Sequence, residues 1–400
     1  NLAAAGPRGD AFGRALGALR ESTPSAELCG AAVWLLSRLD RMKFRREGDK
    51  GSIPDSETFD PRTFYENVFY AVRARNAFPW GRDASDHEFL MFVLPPRLTD
   101  EPLQRWRRHF FEVLEPEVRG LTDREEAIQV ARQACADFFQ YEGNTTWEDF
   151  GMLTALAVHE GRCEDCSNVD NALLRSIGIP GSQAFTPWWG HGDGNHAWTW
   201  VPGAKGFAGD GNSGVKIYVK TLDRLEDVTE MHTPVTRLEV ETGGADGADA
   251  QLMVWNHGEW RRVMGVKVEA GRAVFDKVGC RRPFALLVRV AGVPDQLLAT
   301  EKGGGWRVLA SGPLPAGEGP VDLAFEKVSP LGEFEPDEEY AVTVWDGTAW
   351  SPVAARRLQT GAVGFRAWAD RAYRVTGGKF AGRPFTVNAD PAAESPVTVR

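Results

Sequence analysis

The sequence predicts an α+β protein in which a helical N-terminal region leads into a mixed core and then into two C-terminal β-sandwich modules. Three observations support this prediction. Apolar residues recur at helical spacing through the first third of the chain, and they alternate with polar ones from about residue 182. A motif near residue 255 then recurs 90 residues later, which indicates duplicated modules.

Composition sets the class of protein. The chain has 400 residues, of which 42% are hydrophobic, and this is enough for two to three domains with real cores. Its 43 glycines and 24 prolines favour many turns. With 46 basic and 56 acidic residues, the net charge of −10 disfavours nucleic acid and anionic lipid as partners. No apolar run approaches the roughly 20 residues of a membrane-spanning helix.

The sequence does not decide the cellular compartment of the protein. Because the sequence begins with Asn1 rather than Met, we expect that an upstream segment is removed, and export is compatible with this. The cysteines are few and odd in number, so they predict no disulfide framework. They are Cys29, Cys135, Cys163, Cys166 and Cys280.

Residues 1–120 are predicted to be helical. Leu28, Ala31 and Leu35 exemplify the helical spacing of apolar residues in this region. The predicted core follows at residues 121–230. It opens with Thr122-Asp-Arg-Glu125, which has the pattern of a capping box at a helix start.

The second half of the core is predicted to contain strands. His196, Trp198 and Trp200 fall on one face of a strand over residues 196–201, because side chains alternate between the two faces. A further strand is predicted over residues 215–219.

The repeat lies beyond the core. Val254-Trp255-Asn-His-Gly-Glu-Trp260 recurs as Val344-Trp345-Asp-Gly-Thr-Ala-Trp350. We therefore predict one β-sandwich over residues 231–310 and another over 321–400. The tryptophans can either stack on sugars or pack in the sandwich cores, and core packing is favoured because large aromatic side chains are usually buried.

The segment with the clearest chemistry starts at Cys163. A helix is predicted from this residue, because Val169, Leu173 and Ile177 share one face and Gly178 ends the pattern. A cysteine at a helix N-terminus is favoured as the thiolate, which is the nucleophilic form. The free N–H groups of the same turn can stabilise an oxyanion.

A cysteine nucleophile needs a base and a group that orients the base. His196 lies on a predicted strand and Asp210 follows the next hairpin, so the three are candidates for a triad. His191, in the Gly-rich segment 190–195, is a second candidate base.

Other interpretations of the same residues are weighed against this one. Cys163, Cys166, His191 and His196 could form a zinc site, but a zinc knuckle does not normally open an amphipathic helix. We read Cys166 as a packing residue, and a redox role for the Cys-x-x-Cys pair is disfavoured. For Asn168, support of the site and a purely structural role both stay open.

The residues of this segment resemble a known family. Gly161-x-Cys163-x-Asp165, Leu173-Leu-Arg175-x-x-Gly178-Ile-Pro180, Thr186-Pro187 and His196-Ala-Trp198 are similar to motifs of the transglutaminase-like superfamily of papain-like cysteine enzymes. The Gly-Arg-Cys and His-x-Trp-Thr elements are also similar to those of peptide:N-glycanase. The resemblance covers about fifty residues, and it implies a papain-like core.

The resemblance also implies roles. Cys163 corresponds to the nucleophile and His196 to the base, and Asp210 to the third member, with Asn212 as a substitute. Trp147 corresponds to the upstream aromatic residue that assists the oxyanion. Arg175 is expected to hold the domain together through an ion pair.

We therefore expect cysteine-dependent acyl chemistry on a carboxamide, through a Cys163–His196–Asp210 triad supported by Trp147 and Asn168. The expected reaction is hydrolysis of a peptide or related amide, and transfer to an amine is the other outcome that the residues allow. The expected partner is a protein, peptide or glycopeptide substrate, and no cofactor or metal is called for. The alternative is a catalytically inactive module that binds protein or glycan. The oligomeric state stays open.

Overall fold

The computed structural model divides the chain into two compact units. The first comprises residues up to 185 with 196–209 and 218–228, and the second comprises 186–195, 210–217 and 229–400. The residues described below are 8–22, 25–44, 53–143, 148–204, 214–222, 224–311, 314, 321–326, 328–329, 332–333, 338–357, 362–368, 370–377, 382–386 and 397–398.

Helices dominate the first unit. They are α1 (Gly9–Ser22), α2 (Ala26–Leu36), α3 (Asp55–Thr58), α4 (Pro61–Ala77), α5 (Pro79–Asp83), α6 (Asp86–Phe92), α7 (Arg107–Val118), α8 (Arg124–Phe138), α9 (Met152–Val158) and α10 (Cys163–Ser176). Two short strand pairs accompany them. These are β1 (Lys43–Phe44) with β2 (Ile53–Pro54), and β3 (Gln140–Tyr141) with β4 (Glu160–Gly161).

Two apolar clusters fill this unit. One joins α1, α2, α4 and α6, and the other surrounds α10 with side chains from α4, α7, α8 and α9. Because α10 carries Val169, Leu173 and Leu174 into the second cluster, its position is set by packing on several sides.

A four-stranded sheet completes the first unit. Its strands are β5 (Ser182–Thr186), β6 (His196–Trp200), β7 (Tyr218–Lys220) and β8 (Leu225–Asp227), in the order β6-β5-β7-β8. The edge strand β6 packs against α10. The first unit therefore has the mixed helix and sheet content that the sequence predicted, and both α10 and β6 belong to it.

Strands dominate the second unit, which also contains α11 (Thr229–His232). The first group of strands is β9 (Val235–Glu241), β10 (Asp249–Asn256), β11 (Glu259–Lys267), β12 (Arg272–Gly279), β13 (Ala285–Val290), β14 (Gln296–Thr300) and β15 (Trp306–Val308). They form a five-stranded sheet, β11-β10-β13-β14-β15, and a β12-β9 pair. Both contribute to one apolar core that includes Leu238, Leu252 and Phe275.

The second group of strands follows after residue 320. It comprises β16 (Val321–Glu326), β17 (Val328–Ser329), β18 (Gly332–Glu333), β19 (Glu339–Trp345), β20 (Trp350–Arg357), β21 (Ala362–Ala367), β22 (Ala372–Thr376), β23 (Phe385–Thr386) and β24 (Val397–Thr398). The sheets are β20-β19-β22-β23, β21-β16-β24 and the β17-β18 pair.

The sequence repeat is also a structural repeat. Trp255 pairs with Trp260 across the β10–β11 hairpin, and Trp345 pairs with Trp350 across the β19–β20 hairpin. Both hairpins carry a β-bulge at the equivalent position, after Leu252 and after Val342. The duplication therefore extends to strand register.

The repeated tryptophans pack against one another. The Trp255 ring lies 5.7 Å from that of Trp350, and the Trp260 ring lies 6.3 Å from that of Trp345, both edge to face. Three of the four are buried, and Trp350 is half-buried. The packing interpretation of these residues therefore fits the structure better than an exposed sugar platform.

Two local predictions differ from the structure. The cap of α8 is Asp123 rather than Thr122, since the Asp123 carboxylate accepts from the Glu125 N–H at 2.8 Å. The strand predicted over 215–219 is divided, because β7 begins only at Tyr218. Before it, the Val215 carbonyl accepts from the Gly279 N–H and the Val215 side chain joins the core of the second unit.

Among the residues that the structure describes, no helix combines the length and the apolarity that crossing a membrane requires.

Candidate active site

Helix α10 places Cys163 at its first turn. The Arg162 N–H donates to one oxygen of the Asp165 carboxylate at 3.0 Å, and the Phe150 N–H donates to the other at 2.8 Å. A Cβ at Gly161 would lie 2.7 Å from the Asp165 Cβ, so only glycine allows this close approach. The Gly-x-Cys-x-Asp motif therefore builds a capped helix start with Asp165 in a structural role.

The other end of α10 is also fixed by glycine. Gly178 has a φ of +78°, and a Cβ there would lie 3.0 Å from the Ala74 carbonyl oxygen. Arg175, in the last turn, is buried and donates to the carbonyl groups of Gly181, Pro95 and Arg97. It therefore holds α10 through backbone carbonyl groups, where the sequence suggested an ion pair.

Cys163 and His196 line one cavity of about 420 Å³. Cys163 contributes from the start of α10 and His196 from the start of β6. The remaining lining residues come from α8, α10, β3 and β6. They are Arg132, Cys135, Ala136, Tyr141, Cys166, Ser167, Asp170, Ala197, Trp198 and Thr199.

The thiol of Cys163 is held in its neutral form. Burial raises its pKa to about 12, and the neighbouring Glu164 carboxylate adds to the rise. The Sγ donates to the Glu164 Oε2 at 3.2 Å. Backbone N–H groups of Ala197 and Glu164 oppose this effect but do not cancel it. The sequence predicted a thiolate at this helix N-terminus, but burial and Glu164 shift the pKa of the thiol in the opposite direction.

His196 is positioned by an aromatic neighbour on its own strand. Its ring lies 5.6 Å from the ring of Trp198 at an interplanar angle of 29°, which is a stacked arrangement. Trp198 is buried and also lines the cavity. His196, Trp198 and Cys163 thus line the same cavity.

Asp170 was not singled out by the sequence. It follows Cys163 by seven residues, or two helical turns, and therefore lies on the same face of α10. Burial raises the pKa of its carboxyl to about 6, against the opposing effects of a hydrogen bond with Thr199 and the charge of Arg132. The i, i+3, i+7 spacing of Cys163, Cys166 and Asp170 was the available signal.

Asn168 lies away from this cavity. Its side chain is fully buried, and its Nδ2 donates to the Thr99 Oγ1 at 2.6 Å. The Thr99 hydroxyl in turn donates to Asp149. Asn168 is not among the residues that line the cavity, so its visible contacts anchor α10.

The remaining candidates have different placements. Trp147, Asp210 and Asn212 lie outside the described residues. His191 is exposed and belongs to the second unit, where its ring lies 5.2 Å from that of Trp189. Within the described ranges, no three His, Cys, Asp or Glu side chains are grouped so as to hold a metal ion.

Comparison with known proteins agrees with the resemblance. Residues 113–207 match the family model described as the transglutaminase-like superfamily, and this range contains α10 and β6. No curated protein sequence matches the chain.

Two solved structures are similar to parts of the chain. One is a protein from Cytophaga hutchinsonii that is provisionally described as a cysteine protease. It is 10% identical with a TM-score of 0.26, and the match covers 61% of the present chain and 63% of that protein. The other is red sea bream transglutaminase, 11% identical with a TM-score of 0.24, with coverage of 68% and 70%. Both TM-scores are below 0.5, so neither structure bears on the arrangement of the units.

The family match and the placement of Cys163 and His196 concern the same segment of the chain. The protein therefore contains a transglutaminase-like domain, which covers residues 113–207.

Proposed function

We propose that the transglutaminase-like domain performs cysteine-dependent acyl chemistry on a carboxamide. The observation that carries this proposal is the shared cavity, onto which Cys163 opens from the start of α10 and His196 from the start of β6. A helix start and a rigid strand are suitable supports for a nucleophile and its base. Asp210 is proposed as the group that orients His196.

The proposed reaction has two stages. The Cys163 Sγ attacks the amide carbonyl carbon while the thiol proton passes to the His196 imidazole, and an oxyanion forms. The C–N bond then breaks, the amine leaves with the proton from His196, and an acyl-enzyme remains. Water then releases a carboxylic acid, or a second amine forms a new amide. Backbone N–H groups at the start of α10 are suitable oxyanion donors.

The proposed substrate is a protein, peptide or glycopeptide. We place hydrolysis first and transfer to an amine second. The C-terminal strands are proposed to form two β-sandwich modules, and the paired sheets around the core of Leu238, Leu252 and Phe275 support the first of them.

One observation favours a second candidate function. The Cys163 thiol, with a pKa raised to about 12 and a hydrogen bond to Glu164, is a poor nucleophile in the free protein. A domain that binds protein or glycan without catalysis would tolerate such a thiol. The two functions differ in whether an acyl group ever becomes attached to Cys163.

The test is burst kinetics with p-nitrophenyl acetate, an activated ester that needs no further substrate recognition. We expect a burst of p-nitrophenolate close to one equivalent of protein, because deacylation of the acyl-enzyme is the slower step. Cys163→Ala should abolish the burst, whereas Cys166→Ala, which removes a thiol from the same cavity, should retain it. A burst that survives in Cys163→Ala, or its absence from the unmodified protein, favours the binding module.

A further inference from the structure

The cavity beside Cys163 extends along α10. Cys163, Cys166 and Asp170 occupy successive turns of the face that lines it. Its volume of about 420 Å³ lies within the range of small-molecule sites, roughly 300–1,000 Å³. There is therefore room for a group of the substrate in the cavity that Cys163 and Asp170 both line.

The Asp170 carboxylate has an acceptor that the protein does not use. Asp170 is only 8% exposed, and its Oδ1 is buried without a hydrogen-bond partner. This carboxyl makes a hydrogen bond with Thr199 and is attracted by the charge of Arg132. A buried acceptor without a donor is costly to a folded protein, so a donor supplied by a ligand would account for its presence.

The charges around the cavity favour a cation as that donor. Among the described residues that line it, Asp170 is the only carboxylate, and Arg132 is the only Lys or Arg. Arg132 is exposed, so solvent weakens its compensation of the buried charge. Glu164 adds a second carboxylate beside the Cys163 thiol.

We propose that this cavity is a substrate subsite for a positively charged side chain, a lysine ammonium or an arginine guanidinium, and that Asp170 binds it. The inference deepens the proposed function, because it names the substrate class of the same site. A cation bound there pairs with the Asp170 carboxylate and places the neighbouring amide carbonyl against Cys163.

The proposed occupant would also change the nucleophile. Burial is the main cause of the raised pKa of the Cys166 thiol, and the carboxylates of Asp165, Asp170 and Glu164 add to it. Burial and Glu164 raise that of Cys163. A cation close to these carboxylates lowers the pKa of both thiols, because its positive charge stabilises a thiolate. The resting thiol would thus become more reactive when a suitable substrate is bound.

The test measures binding without turnover. The full chain carrying Cys163→Ala is titrated with N-acetyl-lysine methylamide and with its neutral isostere, in which a methyl group replaces the ammonium. We expect the lysine compound to bind at least about tenfold more tightly, as hydrogen bonds to charged partners allow. Equal binding of the two compounds overturns the proposal, and this comparison does not depend on the folding of any Asp170 variant.

Three further variants in the Cys163→Ala background assign the preference to Asp170. Asp170→Asn keeps the shape and removes the charge, so the ratio of the two dissociation constants should fall close to one. Asp137→Asn removes an exposed carboxylate of α8 outside the cavity and should leave the ratio unchanged. Arg132→Gln removes a competing cation and should increase the ratio.

The outcomes separate this inference from the proposed reaction. A lysine preference that survives in Asp170→Asn, or that also disappears in Asp137→Asn, overturns the subsite. If the lysine preference depends on Asp170 but the protein shows no acyl burst, the subsite is supported and the proposed acyl chemistry is overturned. If the protein shows an acyl burst but no charge preference, the acyl chemistry is supported and the subsite is overturned.

Discussion

The environment of Cys163 in the free protein lowers the nucleophilicity of its thiol. Burial and the Glu164 carboxylate keep the thiol protonated, whereas the backbone N–H groups of Ala197 and Glu164 favour the thiolate. Because the thiolate is the reactive form, this environment lowers the reactivity of the Cys163 thiol when no base assists it. A mechanism with Cys163 as nucleophile therefore requires His196, or a bound substrate, to promote ionisation.

Asp170 gives a prediction about stability and pH. Its folded-state pKa of about 6 lies above the ordinary value of 3.8, so the folded protein binds more protons between these values. The contribution of this group to the free energy of unfolding therefore falls as pH rises from about 4 to 6. We expect Asp170→Asn to be more stable than the unmodified protein at pH 8, by up to about 2–3 kcal/mol, and similar near pH 4.

Urea unfolding at pH 4 and pH 8 measures this difference, with Asp137→Asn as the control for loss of an exposed carboxylate. The groups that act on Asp170 include Arg132, Cys135 and Cys166, and none of them is changed by either substitution. An Asn variant that is no more stable than the unmodified protein at pH 8 would show that the buried carboxyl carries no penalty.

The site residues differ in how far sequence alone could reveal them. Cys163 and His196 were predicted because each belongs to a local pattern, a helix start and an alternating strand. Glu164 and Asp170 were missed as parts of the site, because their effect depends on burial that arises only when α8 and β6 pack against α10. The spacing of Cys163, Cys166 and Asp170 shows that they share a face of the helix, but it does not show that this face is buried.

At the scale of elements, α10 is held at both ends and along its buried face. Arg107 on α7 is fully enclosed, and it donates to the Asn67 side chain and to the carbonyl groups of Arg175, Val93 and Pro95. Burial also lowers the pKa of its guanidinium. One cation thus joins α4, the segment after α6 and the end of α10.

Arg107→Met should therefore destabilise the first unit strongly. It leaves several buried acceptors without a donor, and we expect a loss of about 3 kcal/mol or more in the free energy of unfolding. The matched control is Arg108→Met on the same helix, where the pair with Glu112 is exposed, so we expect a much smaller loss of stability than for Arg107→Met. Equal effects of the two substitutions in denaturant unfolding would show that the network around Arg107 is not important for stability.

Element boundaries were predicted where a single residue type decides them. The end of α10 followed from Gly178, whose left-handed backbone is strained for residues with a side chain. The start of α8 was placed one residue early, because Thr122 and Asp123 are both good caps and local sequence does not choose between them. The strand over 215–219 was wrong in its first part, because a long-range contact with Gly279 takes the backbone of Val215.

For the molecule as a whole, the duplicated hairpins show how the second unit gains its stability. Each hairpin contributes one cross-strand tryptophan pair, and the two pairs interlock in one apolar cluster with Leu287. The repeat was visible in the sequence. The packing of one copy on the other was not, because the sequence of a repeat does not tell whether its two copies are in contact.

Trp345→Ala is expected to destabilise this cluster by about 3–5 kcal/mol, because it leaves a large cavity among buried aromatic rings. Hydrogen exchange followed by mass spectrometry should show faster exchange in β10, β11, β19 and β20, with no change in α10. Val308→Ala is the control, since that side chain is exposed in the same unit. Unchanged exchange in all four strands would contradict a stabilising role for the tryptophan cluster.

The most direct measurement is the location of the acyl group. The full chain is mixed with p-nitrophenyl acetate, quenched in acid at short times and digested, and the acetylated cysteine is identified by mass spectrometry. The account predicts acetylation of Cys163 in the unmodified protein and in Cys166→Ala, slowed about 10²-fold or more in His196→Ala. Equal acetylation of Cys163 and Cys166, at a rate that His196→Ala does not change, would contradict a nucleophile and base at this site.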